Sequence, residues 1–360
     1  DKSERIVTLI SDDIFKRLFF QNSNENEELL LIGKICSIFI SFNIEYDRDD
    51  KNNEINIMSR LSNINSINII RHVEELTKRQ IIQKRGNMRA ILPHAIANKL
   101  ADELLSAMPV EFLTEEIKES KRLQLSLLRR LRFLHDKEYS IKIARYYLAK
   151  IHFENINDYE MKMLQYIKII IPEEILNKIE QIRDNTFFSR ENNKFGDWIR
   201  VLQDIAYEPK LFFRATILIV EFAKNEREGE NYNSIRDELS GLFHIMLSGT
   251  HAPVEDRISL VNHLVFDEDD KKRKIGIKLI EELLETYSFR GCAIYDSDSR
   301  KRDYGYMPKT VAERNKWYIN VLKYCEELIK KGVYKEDIKQ IIANNFRNLA
   351  SCGMYYELEK

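Results

Sequence analysis

The sequence predicts a mainly α protein: a winged-helix domain followed by an α-solenoid-like helical array. Three observations carry this. A helix with a single apolar face is followed directly by two short runs around Gly86-Asn87; helical periodicity then repeats through most of the chain after Pro109; and only 11 Gly and 6 Pro in 360 residues leave too few turns for an all-β protein. The length exceeds what a winged helix alone needs, so a second body is expected.

The winged stretch runs from Glu54 to Met108. Apolar residues at Ile69, Ile70, Val73 and Leu76 mark one buried helix face, and Ser66 is the expected cap at its start. Ile81-Ile82-Gln83 and Arg89-Ala90-Ile91-Leu92 flank Gly86-Asn87, residues that tolerate the positive φ of a tight hairpin, so they read as a two-stranded wing. Pro93 fits the first turn of a following helix, where its missing N–H has no partner to lose. That helix presents Ile96, Ala97, Leu100, Ala101, Leu104 and Leu105 on one face and carries His94 at its N-terminal end.

In chain order, residues 1–22 read as the tail of an upstream helical unit, residues 23–108 as the winged-helix domain and residues 109–360 as the array. The run Leu29 to Phe42 is expected to be the first buried helix of the winged fold. Beyond Pro109 the expected helices are 111–119, 121–136, 138–150, 156–170, 173–184, 195–206, 209–224, 231–248, 254–265, 270–287, 311–331 and 335–350. None can bury its apolar face alone, but stacked in sequence they can. No fixed repeat consensus emerges. Residues 288–310 break the helical texture, and an aromatic-rich loop of that length is expected to be ordered and functional.

Fifty-seven basic residues against 58 acidic ones give a net charge of -1, so nothing global draws the chain to nucleic acid or an anionic membrane. Cys36, Cys292, Cys325 and Cys352 form no CxxC pair, which suits a reducing cytoplasm and offers no zinc site. The charged start of the chain is not a signal peptide, and the apolar run Leu211 to Ala223 contains Arg214 and is too short to span a bilayer. No initiating Met is present, and the expectation is a piece of a longer protein.

The sequence holds no GxxxxGK[ST], GxGxxG or HExxH, so neither a phosphate-cradling loop nor a catalytic zinc site is predicted. His244 and His251 lack further ligands at metal spacing. Ser248-Gly249-Thr250-His251 sets a hydroxyl near an imidazole, but a helix end at Gly249 with a new helix from near Pro253 explains the same letters. Around the wing, Arg71, Lys78, Arg79, Lys84, Arg85 and Arg89 outnumber Glu74 and Glu75. That balance permits contact with DNA phosphates, set against packing within the protein. Arg302, Asp303, Tyr304 and Tyr306 are candidates for a ligand-facing loop, with loop anchoring as the alternative.

The wing, then Leu92-Pro93-His94-Ala95-Ile96-Ala97-Asn98-Lys99-Leu100-Ala101, then a helical array resembles the winged-helix and sensor part of STAND NTPases, the signal-transduction ATPases that include NACHT and NB-ARC switches. Arg130-Leu131-Arg132-Phe133-Leu134-His135, Leu247 to Pro253 and Arg302-Asp303-Tyr304-Gly305-Tyr306 look like words in large bacterial members, some of which act in antiphage defence. The resemblance implies an ATPase module upstream of Asp1, ATP or ADP as that module's ligand, and no cofactor in this fragment itself. It also implies a non-catalytic regulatory and sensing role, a protein trigger and homo-oligomer formation on activation. A Met-His-Asp histidine of such switches contacts the ADP β-phosphate; His94 takes that place here, although Pro93 and Ala95 stand where Met and Asp would. The alternatives are a winged-helix DNA-binding regulator and a helical protein-interaction scaffold.

Overall fold

The computed structural model describes Phe19 and residues 27–184, 186–227, 229, 234–289 and 303–359. The chain is mainly α, as expected, and divides into two compact units. The first comprises Asp1–Ile151 with Asn157–Ile171, the second His152–Ile156 with Pro172–Lys360. Among the described residues no helix is long and apolar enough to cross a membrane.

The first unit opens with α1 (Glu27–Ser37), β1 (Phe42–Asn43), α2 (Glu54–Ser62), α3 (Ser66–Lys78), β2 (Ile82–Arg85), β3 (Met88–Ile91) and α4 (His94–Leu105). Its core is α1, whose Leu29, Ile32, Ile35 and Cys36 are fully buried and which packs on α2, α3, α4 and β3. Phe19 is buried against Gly33 of α1, where even one added carbon would lie 2.8 Å from its ring. The apolar run Leu29 to Phe42 is not one helix: α1 stops at Ser37, whose hydroxyl donates back to the Lys34 carbonyl (2.6 Å), and Phe42 enters the sheet. An uninterrupted apolar run does not distinguish a buried helix from a buried strand, and the β-branched and aromatic residues after Ser37 favour extended chain.

The sheet is antiparallel in the order β1-β3-β2, with Phe42 opposite Arg89 and Ile82 opposite Ile91. Gly86 turns the β2–β3 hairpin at φ 57°. The cap of α3 is Asn65, not Ser66: the Asn65 side chain accepts from the Ile67 N–H (2.8 Å), while the Ser66 hydroxyl donates to Asn56 (2.9 Å). Asparagine and serine cap comparably, so local chemistry could not choose between neighbours. Ile69, Val73 and Leu76 are buried, whereas Ile70 is only half-buried. In α4, Pro93 stands one position before the helix, and Leu104 is half-buried while the other five expected face residues are buried.

Packing does not break after Met108. Helices α5 (Val110–Glu116), α6 (Lys121–Leu131), α7 (Glu138–Leu148) and α8 (Asp158–Ile167) belong to the first unit. Arg122 of α6 pairs with Glu54, the Ser126 hydroxyl donates to the Ser41 carbonyl (2.7 Å), and Arg130 reaches Asn98 (2.7 Å) and the Phe39 carbonyl (3.3 Å). The change at Pro109 is therefore one of element texture. These long-range polar links have no local signature.

The second unit contains α9 (Pro172–Glu180), α10 (Phe195–Ala206), α11 (Pro209–Lys224), α12 (Ile235–Gly241), α13 (Val254–Val265), α14 (Asp270–Leu283), α15 (Val311–Lys330), α16 (Lys335–Ser351) and α17 (Tyr355–Leu358). Its principal packing joins elements close in sequence: α10 on α11, α11 on α13 and α14, α13 on α14 and α15, α14 on α16, and α15 on α16. Trp198 of α10 is fully buried against the rings of Phe153 (4.9 Å) and Phe187 (5.1 Å). The expected helix 231–248 is shorter: α12 ends at Gly241, and residues 242–252 run as irregular chain. Leu242, Phe243, Ile245, Ser248, Thr250 and Ala252 of that stretch are nevertheless buried. Its apolar residues from Leu242 to Leu247, interrupted only by His244, follow one another without a period, and Leu247 and Gly249 take positive φ (58° and 68°), which no helix permits.

Candidate functional site

In the first unit the candidate site is built around the start of α4. His94 is the first residue of that helix and is exposed, and Pro93 before it offers no side-chain cap. The imidazole stacks on Phe133 with centroids 5.7 Å apart and planes 14° from parallel. The guanidinium of Arg130 lies 5.9 Å from the centre of the same ring. Burial, with the charge of Arg129 adding to it, pulls the Arg130 pKa down to about 10, so the group remains a cation at neutral pH. A helix start, an imidazole and a buried cation thus meet around one aromatic ring. The helix start favours a negatively charged ligand, whereas the fully buried Arg130 guanidinium already donates to Asn98 and the Phe39 carbonyl.

The six basic residues of the wing do not form one surface. Arg71, Lys78, Lys84 and Arg85 are exposed. Arg89 is buried, donates to the carbonyls of Gly86 (2.8 Å) and Met88 (3.1 Å), and pairs with Glu74 (3.2 Å). Arg79 is half-buried, pairs with Glu75 (2.8 Å) and donates to the Phe19 carbonyl (3.1 Å). Arg89 and Arg79 are therefore corrected from phosphate contacts to structural ion pairs. Glu74 and Glu75, the two acids among these cations, hold them.

In the second unit the ligand-loop candidates are divided. Arg302 lies outside the described residues. Asp303 accepts from the Gly305 N–H (2.9 Å) and the Tyr207 hydroxyl (3.2 Å), and its Oδ1 lies 2.7 Å from His251 Nε2. Burial alone would raise the Asp303 carboxyl, but the Gly305 N–H and His251 outweigh it and hold the pKa below the ordinary value. Tyr306 stacks on Trp317 at 5.5 Å and 20°, and its N–H donates to the Thr250 carbonyl (2.7 Å). Gly249 donates to the Tyr304 carbonyl (2.9 Å), and the Tyr304 ring is exposed. Asp303 and Tyr306 therefore anchor the loop, and Tyr304 is the one of the described candidates that presents a ring to solvent.

This cluster supplies what Ser248-Gly249-Thr250-His251 lacks in sequence, a carboxylate beside the imidazole. It is still no nucleophile arrangement. Ser248 is fully buried, and its hydroxyl donates to the Thr250 carbonyl (3.4 Å) and accepts from Arg257 (3.1 Å), not from His251. Sequence reasoning missed Tyr207, Asp303 as the partner of His251, and Arg257. For Arg257 a signal existed: it interrupts the apolar stripe Val254, Leu260, Val261, Leu264 of α13, as Arg130 interrupts Leu123, Leu127, Leu131 in α6. Among the described residues no group of three His, Cys, Asp or Glu side chains is placed to hold a metal. No known family, curated protein or solved structure matches this chain.

Proposed function

We propose that the chain is the non-catalytic regulatory and ligand-sensing portion of a bacterial STAND-type signal-transduction ATPase that works in the cytoplasm, in a setting such as antiphage defence. Two orders of elements support the reading. Residues 27–91 run helix, strand, helix, helix, strand, strand, with the three strands in one antiparallel sheet, the order of a winged helix. The second unit packs helix upon neighbouring helix, the habit of a solenoid-like array. In this reading the first unit rests on the protein's own upstream ATPase module, and the second receives a protein trigger.

The observation that carries the proposal is His94, exposed at the first position of the helix that follows the hairpin and stacked on Phe133 beside a buried arginine. In the ADP-bound state this imidazole would meet the β-phosphate. A trigger that binds the released state more tightly would shift the population toward it and permit homo-oligomer formation. The test is ADP retention by the full-length protein through gel filtration. His94→Ala should lose most of its bound ADP, while Lys84→Ala should keep it; full retention by His94→Ala overturns the sensor role. The DNA-binding alternative is weakened by the two arginines engaged with Glu74 and Glu75. A pure scaffold would bind its partner with no dependence on nucleotide.

A further inference from the structure

A cleft of about 680 Å³ in the second unit lies between the end of α11, α12 and α14. Its floor is aliphatic: Leu239, Ile275 and Leu279 are buried. Six cations line it, Lys224, Arg227 and Arg236 on one side and Lys271, Lys274 and Lys278 along α14, against only Glu226 and Asp270. In a chain of net charge -1 this is a local concentration of positive charge that the rest of the protein does not require.

The two acids offset part of the cleft's charge, and Lys224 is paired outside the lining with Glu221 (2.7 Å) and Asp269 (3.5 Å). Glu226 has a fully buried side chain and accepts from the Ile235 N–H (2.7 Å), the Arg236 N–H (3.1 Å) and the Ser234 hydroxyl (3.0 Å), and it pairs with the Arg190 guanidinium (3.2 Å) and more loosely with that of Arg236 (3.8 Å). Asp270 pairs with Lys274 (3.0 Å) on its own helix, and Lys278 pairs with Glu281 (2.6 Å) and more loosely with Glu282 (3.4 Å). Those lysines are well exposed, and exposed pairs of this kind contribute little, so a ligand anion can exchange for the carboxylates at small cost. Lys271, Lys274 and Lys278 follow one another at i, i+3 and i+7, a row of roughly 10 Å along one helix face. The spacing suits successive phosphates, and the volume lies within the range of small-molecule sites.

We propose that this cleft binds a soluble, compact polyanion carrying two or more linked phosphates, with the phosphates along Lys271, Lys274 and Lys278 and any aliphatic body on Leu239, Ile275 and Leu279. The described lining holds no aromatic ring, so base stacking has no part in recognition. The site stands apart from the proposed switch function and survives its failure.

The test is calorimetric titration of the protein with tripolyphosphate at two salt concentrations. Wild type should bind with a one-to-one stoichiometry, and affinity should fall as salt rises. Lys271→Ala, Lys274→Ala and Lys278→Ala together should weaken binding at least tenfold. Lys316→Ala with Lys339→Ala, exposed lysines outside the cleft, should leave it unchanged. Circular dichroism melts establish that both variants fold. Equal binding by wild type and the triple variant overturns the proposal, as does equal loss in the distant pair. A second arm offers phosphatidylcholine vesicles containing a phosphoinositide: binding to vesicles without binding to tripolyphosphate rejects a soluble ligand. Tripolyphosphate that fails to bind, or capture only of an acidic peptide of glutamate and leucine, overturns it too.

Discussion

Arg89 on β3, the central strand of the sheet, pairs with Glu74 of α3 at 3.2 Å and is 3 % exposed, so a cation that reads as a surface contact ties the hairpin to the helix. Its other bonds go to the carbonyls of Gly86 and Met88, which close the turn. Arg89→Ala leaves those acceptors without their donor and should lower stability by about 1–3 kcal/mol. Lys84→Ala and Arg85→Ala, both exposed, should stay within about 0.5 kcal/mol of wild type. Urea unfolding of the three variants measures the contrast, and equal effects would show that Arg89 carries no structural bond.

Gly305 makes the loop anchoring depend on a single hydrogen atom. It sits at φ 87°, and a Cβ there would fall 2.4 Å from the Thr250 nitrogen, inside the backbone pairing of Tyr306 with Thr250. Gly305→Ala must either displace the loop or strain both segments, and should cost more than about 3 kcal/mol. Gly332 has φ 70° but open space where a Cβ would go, so Gly332→Ala should cost only about 1 kcal/mol. Thermal melts that rank the two variants the other way would contradict the packing of the loop on Thr250.

How far the architecture was legible follows from which interactions are local. Helices 195–206, 209–224 and 254–265 are found at the residues expected, because each has an apolar stripe, broken in the last only by Arg257, and the last two begin at or just after a proline. The helix expected over 231–248 fails where Leu242 to Leu247, apolar but for His244, has no helical period. His94 at a helix start was legible from Pro93 and the hairpin; its stacking on Phe133, 39 positions along the chain, was not. The pairing of His251 with Asp303 spans 52 residues and leaves no trace in either local segment.

Glu282 and His244 couple stability to pH. His244 is buried, and its Nε2 lies 2.9 Å from Glu282 Oε2. Burial pushes the Glu282 carboxyl up, but the His244 hydrogen bond and the Lys278 charge outweigh it and leave the pKa below 4.5. A depressed carboxylate contributes stability that is present above its unfolded value and lost as pH falls through the folded one. The difference between wild type and Glu282→Gln should therefore stay at about 1 kcal/mol from about pH 7 down to about pH 5, then shrink below pH 4.5. Denaturant midpoints across that range check it; a difference that grows in acid reverses the sign assigned here.

Arg257 is the interior donor that lets residues 242–252 be buried without helical bonds. Its Nη1 donates to the carbonyls of Leu242 (2.6 Å) and His244 (2.8 Å), its Nε to Ala252 (3.1 Å), and its Nη2 to the Ser248 hydroxyl (3.1 Å). Buried carbonyls without a partner are costly, and this irregular stretch has little else nearby to offer them. Arg257→Leu keeps the apolar stripe of α13 but orphans several acceptors at once, so it should lose more than about 3 kcal/mol despite the better hydrophobic match. Arg257→Lys keeps the charge but cannot span the acceptors with one ammonium, and should recover less than half of that loss. The guanidinium also lies 4.9 Å from the centre of the Trp317 ring, and Tyr306 stacks on that ring, so both variants should shift tryptophan emission as the loop loosens. Were Arg257→Leu as stable as wild type with unchanged emission, the buried stretch would have to hold its carbonyls by some other means, and the support given to the Asp303 loop through Trp317 would fall with it.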